Sequence, residues 1–106
     1  MKKFRVITEK FEERTRRDEV WTSDDILAAY NDKAVTGISA DEIEYNTMEE
    51  ARAEYERRCD NAYTSLESGY NTVIITADII KLDELEYEGD DLVEICAISE
   101  FAKPLK

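Results

Sequence analysis

The chain has 106 residues, of which 42% are hydrophobic, and its 26 acidic and 14 basic side chains give a formal net charge of −12. This length and apolar content predict a single domain, residues 1–106, whose core needs neither disulfides nor a metal. No apolar run approaches the roughly 18 residues of a membrane span, and residues 1–9 are too charged for a signal peptide, so we predict a cytoplasmic protein. The absence of histidine and the wide spacing of the three glycines exclude histidine-dependent catalysis, histidine-containing zinc sites and glycine-rich nucleotide-binding loops. We therefore expect no enzymatic activity, no cofactor and no metal.

The first half of the chain predicts two strands and a short helix. Residues 4–11 are rich in β-branched and aromatic side chains and predict a strand, and the charged residues 12–19 follow it as a loop or an exposed extension of that strand. Capping residues and first-turn acids predict a short helix over residues 24–33. Alternating apolar and acidic residues predict a half-buried strand over residues 41–46.

A capping box predicts the start of the main helix. Thr47 has the side chain of an N-cap residue, and Glu50 stands at the third helical position. Apolar residues then recur every three or four positions and form one stripe: Met48, Ala51, Tyr55, Cys59, Ala62 and Leu66. The pattern predicts a helix from residue 48 to about residue 68, with Gly69 at the left-handed cap position.

The last third of the chain predicts a long hairpin. The β-branched residues 71–81 predict a central strand, interrupted at Asp78. Asp78 could be buried with a raised pKa, and in the alternative interpretation it faces solvent or pairs with a base. Residues 88–90 predict a turn, and residues 92–101 supply the apolar side chains of the partner strand.

Together these elements predict an α+β fold. Its antiparallel sheet has four strands, and one long and one short helix pack on one face of that sheet. We expect residues 1–3 and 102–106 at the two ends to be flexible.

Acidic residues are concentrated in the predicted hairpin, because residues 78–94 hold eight acids and one base. Such a field repels nucleic acid and anionic lipid, and it attracts basic protein surfaces. In an extended strand, Glu84, Glu86 and Glu88 would point the same way at intervals of about 6.7 Å, which matches alternate phosphates of one DNA strand in projection on the helix axis. The predicted partner-binding residues are Asp83, Glu84, Glu86, Glu88, Asp90, Asp91 and Glu94. In the alternative interpretation these charges form a solvated tip that opposes aggregation.

Residues 1–17 hold seven bases and three acids, so the chain is dipolar. Arg14, Arg16 and Arg17 could bind phosphate or nucleic acid. Alternatively, they could pair with the chain's own acids, or with the acidic surface of a second copy to form a homodimer. Trp21 is a candidate dimer contact, because aromatic residues are enriched at interfaces. Its alternative role is to fill the core.

Three segments carry a resemblance to a known class of proteins. They are an N-terminal Lys-Phe-Arg-Val strand, the entry Tyr-Asn-Thr-Met-Glu-Glu-Ala (residues 45–51) into a charged helix, and the closing acidic hairpin (residues 80–94). With them the chain resembles the small acidic accessory proteins of phages and mobile elements, which include anti-CRISPR and antirestriction proteins. The resemblance implies a non-enzymatic inhibitor that presents carboxylates to the nucleic-acid site of a CRISPR effector or a restriction enzyme. The alternative is a self-associating domain whose acids serve solubility only.

Overall fold

The computed structural model describes residues 1–15, 21–32 and 40–105, which form an antiparallel sheet and two helices. In chain order the elements are β1 (Lys2–Thr15), α1 (Ser23–Asp32), β2 (Ala40–Tyr45), α2 (Met48–Asp60), β3 (Thr64–Gly69), β4 (Thr72–Glu88) and β5 (Asp91–Ala102). The α+β class and the antiparallel pairing agree with the sequence prediction. No helix in the described ranges is both long enough and apolar enough to cross a bilayer.

Strand β4 is the centre of the sheet. It pairs along most of its length with β1, which in turn pairs with β2. The other edge of β4 pairs with two strands, with β3 along residues 72–77 and with β5 along residues 79–88. Over the described residues the sheet therefore has five strands, and the prediction of four was wrong.

The additional strand, β3, lies where the helix was predicted to continue. Helix α2 ends at Asp60, and the backbone N–H of Asn61 donates to the carbonyls of the last turn. Residues 64–69 then pair with 72–77, so that a ladder satisfies their backbone groups. Asn71, with a φ of 61°, takes the left-handed conformation that we had predicted for Gly69.

The two helices pack on opposite faces of the sheet, which corrects the prediction that they share one face. Strand β4 has apolar side chains on both of its faces, and one helix covers each face. The α1 face is the one whose core contains Phe11, Trp21, Ile26, Tyr30, Val73, Ile75, Ala77, Ile79 and Ala102. The α2 face is the one whose core contains Val6, Ala51, Tyr55, Ala62, Ile80 and Leu82.

Both helices begin at threonine caps, and the predicted cap of α2 is confirmed. The Oγ1 atom of Thr47 accepts a hydrogen bond from the backbone N–H of Glu50 at 3.2 Å, and its hydroxyl donates to Glu50 Oε1 at 2.9 Å. At α1, Thr22 Oγ1 accepts from the backbone N–H of Asp25 at 3.1 Å. These bonds satisfy backbone donors that a helix start leaves free.

Residues near the chain ends, which we had predicted to be flexible, are part of the fold. Lys2 and Lys3 lie in β1, and Ala102 is fully buried at the end of β5. The backbone N–H of Leu105 donates to the carbonyl of Trp21 at 2.8 Å. Ala102 and Leu105 pack against the core of the α1 face, and Lys2 and Lys3 are held by pairing with β4.

The turn between β4 and β5 depends on a glycine. Gly89 has a φ of 66°, and a Cβ placed there would meet nothing within 4 Å. Gly89→Ala should therefore lower the free energy of unfolding by about 1 kcal/mol through backbone strain alone. Gly69→Ala is the control, because Gly69 lies in a strand and a Cβ there would meet Thr72 Oγ1 at an ordinary 3.4 Å. Urea denaturation should show a lower free energy of unfolding for Gly89→Ala and an unchanged one for Gly69→Ala. Equal effects of the two substitutions would mean that the positive φ of Gly89 does not cause the loss.

Candidate functional site

Three of the predicted acids form one cluster on the α2 face of the hairpin. The register of β4 and β5 places Glu84 opposite Cys96 and Glu86 opposite Glu94. With Lys2, these four side chains line an open depression of about 390 Å³. We call Glu84, Glu86 and Glu94 the carboxylate cluster.

Two cations neutralise part of the carboxylate cluster. Lys2 Nζ lies 3.7 Å from Glu84 Oε1, and the Met1 ammonium lies 3.4 Å from Glu86 Oε1. Both cations are exposed, and exposed ion pairs of this kind contribute at most about 1 kcal/mol each. Met1 is also held by its backbone, because its ammonium donates to the carbonyl of Tyr87 at 2.9 Å and its carbonyl accepts from the N–H of Tyr87 at 2.8 Å. The pair between Lys2 and Glu84 is therefore the one that competes least with another cation.

The third carboxylate, Glu94, has no ion pair among the residues that the structure describes. The Cys96 thiol donates to Glu94 Oε1 at 3.4 Å. This hydrogen bond and the charge of Glu94 raise the pKa of the Cys96 thiol. The thiol therefore stays protonated, which disfavours a role as a nucleophile.

The tip of the hairpin carries three further predicted acids. Glu88, Asp90 and Asp91 flank the turn at Gly89, and all three are exposed. None of them has an ion pair within residues 1–15, 21–32 and 40–105. Their charge is therefore available to a partner.

Asp83 differs from the other predicted acids, because it lies on the α1 face and is only 2% exposed. Its Oδ2 accepts from Arg5 Nη2 at 2.8 Å and from Arg5 Nε at 3.3 Å. Burial lowers the pKa of Arg5, but the hydrogen bond and charge of Asp83 outweigh this and raise it overall. Asp83 is therefore a structural ion-pair residue, and the prediction that it belongs to the partner-binding surface needs this correction.

Asp78 is also buried and paired. It forms an ion pair with Lys10, and its Oδ2 accepts from the backbone N–H of Tyr63 at 3.0 Å. The backbone N–H of Asp78 donates to the carbonyl of Tyr63 at 2.8 Å. Asp78 is therefore buried and also pairs with a base, and the alternative in which it faces solvent was wrong. Its contacts join β1 and β4 to the start of β3.

Two of the four predicted dimer contacts, Trp21 and Arg14, lie in the described residues. Trp21 is 2% exposed and fills the core of the α1 face, so its alternative role is the observed one. Arg14 is exposed near the end of β1. Arg16 and Arg17 lie outside the described residues.

Strand β5 carries an exposed apolar surface that was not predicted from the sequence. Val93 is 54% exposed and Ile95 50%, although both were predicted to pack within the hairpin. The two cores include only Phe101 and Ala102 from β5, the last two residues of that strand. The signal that could have shown this is the number of helices, since two helices cannot cover both faces of a hairpin this long.

Comparisons with known proteins found nothing similar to this chain. No protein family matches it, and no curated protein or solved structure matches it either. Within the described ranges, no group of three or more cysteine, aspartate or glutamate side chains is arranged to hold a metal ion. The charge and shape of the hairpin are therefore the observations from which a function is inferred.

Proposed function

We propose that this chain is a non-enzymatic cytoplasmic protein that binds a basic surface on another protein through its acidic hairpin, residues 84–94. The observation that carries the proposal is the carboxylate cluster, three acids on one face with two exposed cations. The exposed tip acids extend the same negative surface. Attraction between opposite charges would steer a basic partner toward this end of the molecule.

The spacing of the cluster supports competition with nucleic acid. Glu84 and Glu86 are two residues apart on one strand, which corresponds to about 6.7 Å, and the phosphates of one strand of B-form DNA recur every 3.4 Å in projection on the helix axis. Two carboxylates therefore match alternate phosphates in spacing. We propose that the partner is a nucleic-acid-handling protein such as a CRISPR effector or a restriction enzyme, and that the chain inhibits it by occupying its phosphate-binding groove.

A self-associating domain is the second candidate function. The exposure of Val93 and Ile95 favours it, because uncovered apolar side chains on a strand invite an interface. The net charge of −12 opposes it, because two copies repel each other. The buried position of Trp21 removes the aromatic residue that we had assigned to such a contact.

The test compares two variants of equal charge. Glu84→Gln/Glu86→Gln/Glu94→Gln removes the carboxylate cluster, and Glu49→Gln/Glu56→Gln/Glu67→Gln removes three exposed acids elsewhere. Each chain is immobilised, a bacterial lysate is applied at about 0.05 M salt, and bound proteins are eluted with salt rising to about 0.5 M. We expect wild type and the control to retain the same nucleic-acid-binding proteins, and the cluster variant to lose them.

An eluted protein is then tested for competition. Fluorescence anisotropy of a labelled duplex bound to that protein should fall when wild-type chain is added, and the cluster variant should require at least about tenfold more chain. Equal retention on all three chains, or capture without displacement of the duplex, would contradict the proposed inhibition.

A further inference from the structure

We propose that the outer edge of β5 accepts an extended segment of the partner as an additional strand, and that this segment alternates basic and apolar residues. The inference rests on the proposed function, because it assumes a basic partner, and it adds the mode of binding and the residue pattern of that partner. The observations that carry it are an unpaired strand edge and a difference in chemistry between its two faces.

The outer edge of β5 has no partner in the described part of the chain. Strand β5 pairs with β4 on one side, and no described strand pairs with its other side. Every residue from 91 to 98 is exposed. The outward backbone N–H and C=O groups of such an edge can pair with an added strand.

The α2 face of this edge is acidic. Glu94 and Cys96 lie on it, with Glu86 and Glu84 opposite them on β4. A residue paired with Glu94 on an added strand would be about 5 Å from it and about 10 Å from Glu86. A lysine or arginine side chain is long enough to reach both carboxylates.

The α1 face of the same edge is apolar. Ile95 and Ala97 lie on it, opposite Leu85 and Asp83 of β4. Ile95 is half exposed, whereas Leu85 and Asp83 are buried. Apolar residues of an added strand would therefore cover Ile95 and Ala97, and the alternation of faces requires basic residues between them.

The register of β5 limits the length of the added strand. The pairing with β4 shifts twice, and each shift leaves one additional residue on β5, Val93 and Ile98. Between the shifts, residues 94–97 pair regularly with residues 83–86. Bulges bend and twist a strand, so the straight part of the edge accommodates about four to six residues of a partner.

Charge selects a basic segment over a second copy of this chain. Pairing β5 with β5 would bring two carboxylate clusters together, and like charges across strands are destabilising. A segment with arginine or lysine at alternate positions places a cation against the cluster instead. The same edge thus repels its own copy and attracts a basic strand.

Two peptides of equal composition test the inference. One alternates arginine and valine over six residues, and the other places three arginines before three valines. Affinity is measured by fluorescence anisotropy, and hydrogen exchange of the chain's amides is followed by NMR. We expect the alternating peptide to bind at least about tenfold more tightly and to slow exchange at residues 94–97. Ile95→Lys should remove this preference, whereas the control Ile43→Lys, at a position of β2 that is 41% exposed and far from the β5 edge in the sheet order, should keep it.

The outcomes separate this inference from the proposed function. Equal, salt-sensitive binding of both peptides without protection at residues 94–97 would overturn strand addition and leave a basic partner in place. No binding of either peptide would also overturn it, and the lysate capture with the Glu→Gln variants then decides the proposed function on its own. Sedimentation of a dimer that Ile95→Lys dissociates would show that a second copy occupies the edge, which would overturn the inference as well.

Discussion

Arg58→Ala is expected to lower the free energy of unfolding by about 3 kcal/mol, the lower end for a broken buried ion pair, because Glu54 keeps its hydrogen bonds from Arg57. The Arg58 side chain is 6% exposed on α2, and its Nε donates to Glu54 Oε2 at 2.7 Å. Its Nη1 donates to Thr8 Oγ1 at 3.0 Å and to the carbonyl of Asp41 at 2.8 Å. One guanidinium thus ties α2 to β1 and β2. Urea denaturation followed by circular dichroism measures the loss.

The neighbouring residue provides the control for Arg58→Ala. Arg57 also binds Glu54, with Nη2 2.6 Å from Oε2, but its side chain is 63% exposed. Arg57→Ala should cost at most about 1 kcal/mol, since water solvates what the exposed pair loses. Equal losses for the two variants would show that burial of Arg58 does not determine its contribution.

Acid denaturation gives a second measurement on the same variants. The hydrogen bond from Arg57, together with that from Arg58, lowers the pKa of Glu54 from 4.5 to about 2. A carboxyl whose pKa is lower in the folded state stabilises the fold above its unfolded pKa, so this stability is lost as the pH falls from 4.5 toward 2. Each arginine variant should therefore lose less stability than wild type as the pH falls from 4.5 toward 2, and Glu54→Gln should remove the contribution of this carboxyl.

The local pattern of the sequence predicted the central elements. β-Branched residues such as Val73 and Ile75 identified β4, and the turn at Gly89 followed from the glycine between two acids. The cap at Thr47 was predicted for the same reason, because its partner Glu50 is only three residues away. Signals of this kind need no knowledge of the rest of the chain.

The end of α2 and the position of the helices depended on distant residues. Leu66 fits the apolar stripe of a helix, yet it pairs with Ile75 in a hairpin that closes at Asn71. Pairing with β4 is a tertiary contact that overrides a local helical pattern. The apolar character of both alternations of β4 was visible in the sequence, and it required cover on both faces. Interpreting it as a two-layer sheet placed both helices on one side.

The alternation of side chains along β4 places two neighbouring predicted site residues on opposite faces of the sheet. Residues 83 and 84 must point to opposite faces of a strand, so one surface could not include both. The sequence contained this information. It did not contain the pairing of Asp83 with Arg5, because these residues are 78 positions apart and only the β1–β4 register brings them together.

Asp83→Asn and Glu84→Gln each remove one negative charge, but Asp83→Asn is expected to reduce stability and Glu84→Gln is expected to weaken partner binding. Asp83→Asn should lower the free energy of unfolding by about 3 kcal/mol, the lower end for a broken buried pair, because Arg5 Nη1 keeps Glu42 Oε1 at 3.3 Å. Glu84→Gln should change stability by at most about 0.5 kcal/mol, since its pair with Lys2 is exposed. Binding to a captured basic partner should weaken for Glu84→Gln and stay unchanged for folded Asp83→Asn.

Replacement of both ion-pair partners completes the test. Arg5→Met/Asp83→Leu leaves no buried charge without a partner, so it should recover most of the stability that Asp83→Asn loses. If the double variant did not recover this stability, the pair between Arg5 and Asp83 would contribute more than the avoidance of an unpaired buried charge. If instead Asp83→Asn weakened partner binding as much as Glu84→Gln while remaining fully folded, both faces of the hairpin would take part in recognition, and the assignment of the α2 face as the binding surface would be wrong.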